Sequence, residues 1–218
     1  MAYRTTLLHL DHDRRNPVRL ELAVRYARDS GAHLIGLHVL PIPVIPYGYG
    51  EATVTVRPDI IEQQRALANE RAEGLQTAFD AACRREGVAG EWRTEEGDAA
   101  DVVSRHGRYA DLVVLGQPEP EEIETGQSDR LPHHVPLNAG APVLVVPYAG
   151  DFAEFGRRPL VAWNGSREAA RAMRDALPLL QAADAVTVLE VDPADGEPGL
   201  GAIEASKLLA RHGVKADA

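Results

Sequence analysis

Two stretches of the chain carry side chains whose types and spacing could do chemistry. In HLDHD, the period of two along an extended strand puts His9 and Asp11 on one side, and His38 is expected from the neighbouring strand. Three metal-ligating groups could converge there, which is the equipment of a metal-assisted or nucleotide hydrolase. No tight spacing such as HExxH or CxxC accompanies them, so histidines satisfied by backbone partners are the competing reading. The second stretch, LGQPEPEEIETGQ at 115–127, follows the apolar run ADLVVLG, where an α/β protein often receives an anion. Phosphate needs backbone N–H donors on residues that tolerate close approach. Pro118 and Pro120 each remove a donor, and Glu119, Glu121, Glu122 and Glu124 add like charge, so this connection is expected to hold no phosphate.

Weaker candidates lie elsewhere. Asn164, Gly165 and Ser166 precede a helical pattern and could cap it or face a nucleoside, capping being the expected role. His133 and His134, in LPHH between two prolines, read as a broken helix start, and Arg130 reads as a surface ion-pair partner among acids. Cys83 in FDAACRREG is expected to be a half-buried helix residue. The chain has no nucleophile elbow, no Walker A sequence and no complete G-x-G-x-x-G fingerprint.

The 218 residues suffice for one large domain or two small ones, and a net charge of −10 argues against wrapping nucleic acid or lying on an anionic membrane. A single cysteine precludes an intrachain disulfide, MAYRTTLLHL lacks the apolar core of a secretory signal, and no apolar run approaches the roughly 20 residues that cross a bilayer. The cytoplasm is the expected compartment.

These candidates must be positioned by strands alternating with helices. TTLLHL (5–10) reads as a buried strand, with Asn16 as N-cap and Pro17 at the first position of a helix whose apolar face carries Val18, Leu22 and Tyr26 with Ala23 and Ala27 beside them, and which Gly31 closes. HLIGLHVLP (33–41) is the second strand, IPVIPYGYGEATVTV a surface loop, and residues 58–86 a long helix ending at Gly87. GEWRTEEG gives a third strand, Asp98 caps a short helix through His106, and ADLVVLG and APVLVVP supply strands four and five. The pattern then restarts. LLHLDHDRRNPVRLELAVRYARDSGAHLIGLHVLP and PLVAWNGSREAARAMRDALPLLQAADAVTVLEVDP share one grammar of strand, polar turn, helix, strand and proline, and ACRREGVAG echoes LLARHGVKA. The expectation is a doubly wound parallel α/β unit over 1–150 and a second, partial unit over 157–218. An incomplete second sheet would leave the inner edge of PLVAWN uncovered, so either the natural chain continues past Ala218 or an oligomer covers the gap.

LLHLD, LIGLHVLP, ADLVVLG and APVLVVP, followed by VAWNGSREAARAMRDALPLL, resemble the universal stress protein family, in particular its tandem members. The resemblance implies a five-stranded sheet of order 3-2-1-4-5, of the adenine nucleotide alpha hydrolase type, with a crevice where strands 1 and 4 diverge. It assigns Asp11 to the nucleoside, Val39 to the neighbourhood of adenine, and Gly116 to the first glycine of G-x2-G-x9-G-[ST]. From Gly116 the later motif positions hold Glu119, Asp129 and Arg130, so the first unit departs from the ATP-binding pattern and no cofactor is expected there. ATP or a related adenine nucleotide is left to a complete second unit, near Asn164, Gly165 and Ser166. The resemblance also makes the fifth strand, Val143, Leu144, Val145 and Val146, the contact of a homodimer or of a pseudo-dimer of the two units. The implied role is that of a non-catalytic stress-response regulator acting through dimerisation and ligand sensing. The alternative is a nucleotide-binding or metal-assisted hydrolase built on Asp11, His9 and His38.

Overall fold

The computed structural model describes residues 2–42, 58–119, 130–152, 155–191 and 200–218. The chain divides into two compact units, Arg4–Gly150 and Asp151–Ala218, the latter joined by the residues up to Tyr3.

In the first unit, β1 (Thr5–His9), β2 (His33–Leu40), β3 (Gly90–Glu96), β4 (Leu112–Gly116) and β5 (Val143–Val146) form one parallel sheet in the order β3-β2-β1-β4-β5. Helices α1 (Asn16–Ser30), α2 (Pro58–Glu86), α3 (Ala99–Gly107) and α4 (Leu131–Asn138) connect the strands. Such a sheet is buried on both faces, which is why β1, β2 and β4 are apolar almost throughout. Leu7, Leu37, Val39 and Leu115 face Val102 and Val103 of α3 and Val135 of α4 in one continuous cluster. The opposite face packs on α2 through Phe79 and Trp92, whose ring centroids lie 5.6 Å apart. Gly36 makes that packing possible, because a Cβ there would come within 2.9 Å of the Phe79 ring and 2.8 Å of Trp92. Cys83 is buried at the end of α2, where burial pushes its thiol up to about 11, as expected of an unreactive packing residue.

Local signals set the helix ends. Gly31 closes α1 in the left-handed conformation, with φ 65°. The Asp98 side chain caps α3 by accepting from the N–H groups of Ala100 and Asp101. Two expectations need correction. Helix α1 begins at Asn16 itself, with Arg15 as N-cap, because Asp13 already turns the chain by accepting the Arg15 N–H at 2.7 Å; Asn16 is thereby drawn inward. LPHH is part of a formed helix, α4, which carries Pro136 inside it and is held by the burial of Leu131 and Val135. Most of the proline-rich loop after β2 lies outside the described residues.

The second unit repeats the opening of the first: β6 (Leu160–Trp163), α5 (Arg167–Asp175), α6 (Leu177–Gln181), β7 (Val186–Glu190), α7 (Leu200–Arg211) and β8 (Ala216–Asp217). Its three strands are parallel in the order β6-β7-β8, which matches β1-β2-β3 of the first unit. Val186, Val188, Met173, Leu180 and Leu209 form its own core. Among the described residues β6 pairs only with β7.

Candidate functional site

In a sheet of this order the crevice opens at the carboxyl ends of β1 and β4, where the connections leave in opposite directions. Asp11, just past β1, and Gly116, which ends β4, flank it. The space between them is filled by a side chain of the protein itself. Arg19, one turn into α1, is 1% exposed; its Nη2 donates to Asp11 Oδ1 at 2.5 Å and to Asn16 Oδ1 at 2.9 Å. Its guanidinium rests on the backbone of Gly116 so closely that a Cβ there would lie 1.7 Å from Nη1. Glycine at 116 therefore serves the approach of an arginine.

The charges around Arg19 are paired internally. Burial pushes the Asp11 carboxyl up, but the Arg19 guanidinium beside it, with His9 and the Asp13 N–H, outweighs burial and holds it below the usual carboxylate range. Glu119, beyond β4, points inward at 6% exposure and takes a hydrogen bond of 2.7 Å from Arg14 Nε and a second contact from Arg14 Nη2. That bond also holds its carboxyl below the ordinary value. Glu119 is thus a paired residue and not the repelling surface charge expected from the sequence. Glu121, Glu122 and Glu124 lie outside the described residues. Val39 is 8% exposed and belongs to the α3/α4 core cluster, so it presents little surface to any ligand.

The metal-ligand set does not assemble. The β1–β2 register places Leu37, and not His38, beside His9. Alternation along β2 then sends His38 to the α2 face, where it stacks on Trp92 at 6.5 Å, while His9 stays on the α3/α4 face. His38 Nδ1 is spent on the Leu10 carbonyl at 2.8 Å, and His9 Nδ1 is 3.7 Å from Asp11 Oδ2. Among the described residues no three His, Cys, Asp or Glu side chains are arranged to hold a metal ion.

In the second unit, Asn164 Oδ1 accepts the Ser166 N–H at 3.1 Å, Ser166 Oγ caps α5 by accepting the Ala169 N–H at 3.1 Å, and Gly165 supplies the positive φ, 72°, that this turn requires. All three residues are occupied in starting a helix. Arg130 forms an ion pair with Asp98 at 3.6 Å, and His134 Nε2 lies 3.3 Å from Asp101 Oδ1, both contacts joining α3 and the start of α4.

The residues that define the crevice, Arg14 and Arg19, were not singled out by their chemistry in the sequence. One signal was present: Arg19, Ala23 and Ala27 recur at intervals of four and so share the buried stripe of α1.

The model of the universal stress protein family matches residues 2–147. This chain belongs to the universal stress protein family. Among solved structures, it is similar to a universal stress protein from Archaeoglobus fulgidus DSM 4304, with a TM-score of 0.70 and 15% identity over 98% of this chain and 74% of the other. It is also similar to universal stress protein UspA from Lactobacillus plantarum, with a TM-score of 0.55 and 17% identity over 67% of this chain and 99% of the other. A protein of the family from Burkholderia pseudomallei is 27% identical over 66% of this chain and 96% of its own, with a TM-score of 0.46. No curated protein matches. In this universal stress protein, the glycine that the sequence pattern assigns to the start of a phosphate loop is covered by Arg19. No helix among the described residues is long and apolar enough to cross a membrane.

Proposed function

We propose that this universal stress protein acts without catalysis, as a regulatory stress-response protein whose first unit holds no nucleoside triphosphate and which works through dimerisation and ligand sensing. The observation that carries the reading is the Arg19 guanidinium seated on Gly116 and paired with Asp11. A triphosphate entering there would have to displace a buried arginine from its carboxylate, and breaking such a pair costs several kcal/mol, on the order of 3–5. The hydrolase alternative loses its support with the separation of His9 and His38 onto opposite faces. Adding ATP to the full-length protein to about 1 mM should leave the amide resonances of Val39, Leu115 and Gly116 in place. Saturable movement of all three would overturn the proposal.

For dimerisation, the supporting observation is the position of β5. Val143–Val146 ends the sheet, pairing only with β4 among the described residues, and Val143, Leu144 and Val145 are half-buried. An apolar edge strand is a template for a twofold-related copy. Leu144 pairs in register with Val114 and so faces away from the cluster that contains Val113 and Val143. Sedimentation equilibrium at about 50 μM should give a dimer, and Leu144→Lys should shift it to monomer with the fold intact by circular dichroism. A monomeric parent protein at that concentration would refute this part.

A further inference from the structure

A cavity lies on the other side of the sheet from the α3/α4 core, between the carboxyl end of β2 and the amino-terminal half of α2. Its volume is about 450 Å³, and neither Asp11, Val39 nor Gly116 lines it. Sites for small organic ligands span roughly 300–1,000 Å³ and combine apolar walls with a few polar groups. Leu40 and Ile42 form one wall and Leu67 and Ala68 of α2 the other; Ile42 and Leu67 remain 56% and 47% exposed, an apolar surface left to solvent.

The polar groups of this cavity have a direction. His38 is 3% exposed, and its Nδ1 faces the Leu10 carbonyl at 2.8 Å, which fixes Nδ1 as the protonated nitrogen. Nε2 is then a buried acceptor, and it has no hydrogen-bond partner among the described residues. A buried acceptor of this kind calls for a donor. Elsewhere on the lining are His12, Arg65 and Arg71, against the single carboxylate of Glu96, which lies 3.8 Å from Arg65. Arg71 makes no ion pair among the described residues. Burial is the largest cause that pushes the His12 imidazole below its ordinary value, and the Arg71 guanidinium adds to it. The His12 ring meets that of His38 edge-on at 5.1 Å, and the Trp92 ring stacks on His38 with centroids 6.5 Å apart.

We infer that this cavity binds a small aromatic carboxylate bearing a hydroxyl or N–H donor at the end remote from its acid group. The donor satisfies His38 Nε2, the ring lies between Leu40 and Leu67, and the carboxylate meets Arg71. The donor is met from β2, the carboxylate from α2 and the ring from both, so a ligand lacking any one of the three groups binds more weakly. The site is independent of the crevice at Arg19 and stands or falls separately from the role proposed above.

The test uses the full chain and para-hydroxyphenylacetate as probe, with calorimetry and the fluorescence of Trp92, read in a Trp163→Phe background, as readouts. Saturable binding below about 1 mM is expected, weakened about tenfold or more by Arg71→Gln, a change on an exposed helix position that leaves the core untouched. Phenylacetate, which lacks the donor, should also bind about tenfold more weakly, and tyramine, which replaces the acid by a cation, should not bind. The inference is overturned by absence of saturable binding up to roughly 10 mM, or by binding that is indifferent to Arg71→Gln or to loss of the hydroxyl. Using two ligand analogues keeps the test decisive even where a His38 variant fails to fold.

Discussion

Arg19→Ala is expected to destabilise the first unit by about 3 kcal/mol, because it leaves the Asp11 carboxylate in the protein without its partner. Gly116→Ala should cost a similar amount for a different immediate reason. Its new methyl group would lie 1.7 Å from Arg19 Nη1, so the guanidinium must leave the position in which it pairs with Asp11 and Asn16. Both substitutions therefore remove the same interaction. Once Arg19 is absent, the neighbour left for a Cβ at 116 is Asp13 Oδ2 at 3.6 Å, an ordinary van der Waals contact, and the further cost of Gly116→Ala should fall below about 1 kcal/mol. Urea unfolding of the two single variants and the double variant measures this directly, and a coupling of about 2 kcal/mol is expected. Strict additivity would mean that Arg19 does not rest on Gly116 in solution. A second double variant, Arg19→Met with Asp11→Leu, should recover most of the stability lost in Arg19→Ala, since two apolar groups of suitable size avoid the unpaired charge.

The strands of the first unit were legible because a parallel sheet covered on both faces writes itself as short apolar runs bounded by turn residues, and β1, β2, β4 and β5 each do so. Helix α2 was legible to the residue, Pro58 to Glu86, since a proline opens it and Gly87 ends it. The site was legible only in outline. The apolar face of α1 reads from Val18, Leu22 and Tyr26 with Ala23 and Ala27 beside them, and Arg19, which continues the Ala23–Ala27 stripe by one turn and is buried with it, is left out of that face because it is charged. Arginine is ordinarily an exposed residue, so an apolar count passes over it. The Arg14–Glu119 pair joins residues 105 positions apart, and no local spacing encodes such a contact. The separation of His9 from His38 was hidden for a related reason. Each strand's alternation can be read from its own residues, but the relative register of two strands decides which residues share a face, and here it sets Leu37 next to His9.

That same register places His9 where it should govern stability in weak acid. The ring is 3% exposed, its Nδ1 has no hydrogen-bond partner among the described residues, and its pKa is lowered from 6.5 to about 4. Burial is the largest cause; Asp11 opposes it, and Arg19 and His38 add to it. The unfolded chain takes up a proton at this position below pH 6.5, whereas the folded chain refuses it until about pH 4. Unfolding therefore becomes easier as the pH falls through that window, by up to about 3 kcal/mol in total, and the stability is fully present above pH 6.5. The depressed carboxylates act in a lower range: Asp11, Glu95 and Glu119 all have folded values below their ordinary ones, so their contribution is lost only as the pH drops beneath about 4.5. Between pH 6.5 and 4.5 the slope should belong chiefly to His9, with a smaller share from the more exposed His12, whose value is also lowered. Urea titrations at half-unit pH intervals should show the parent protein losing stability across this range with an uptake approaching one proton. His9→Leu should flatten that slope, and His12→Gln should leave most of it. An unchanged slope in His9→Leu would show that the imidazole is not held neutral by burial, and would remove the electrostatic ground for a β1 strand that buries a histidine two residues before the Asp11 of the Asp11–Arg19 pair.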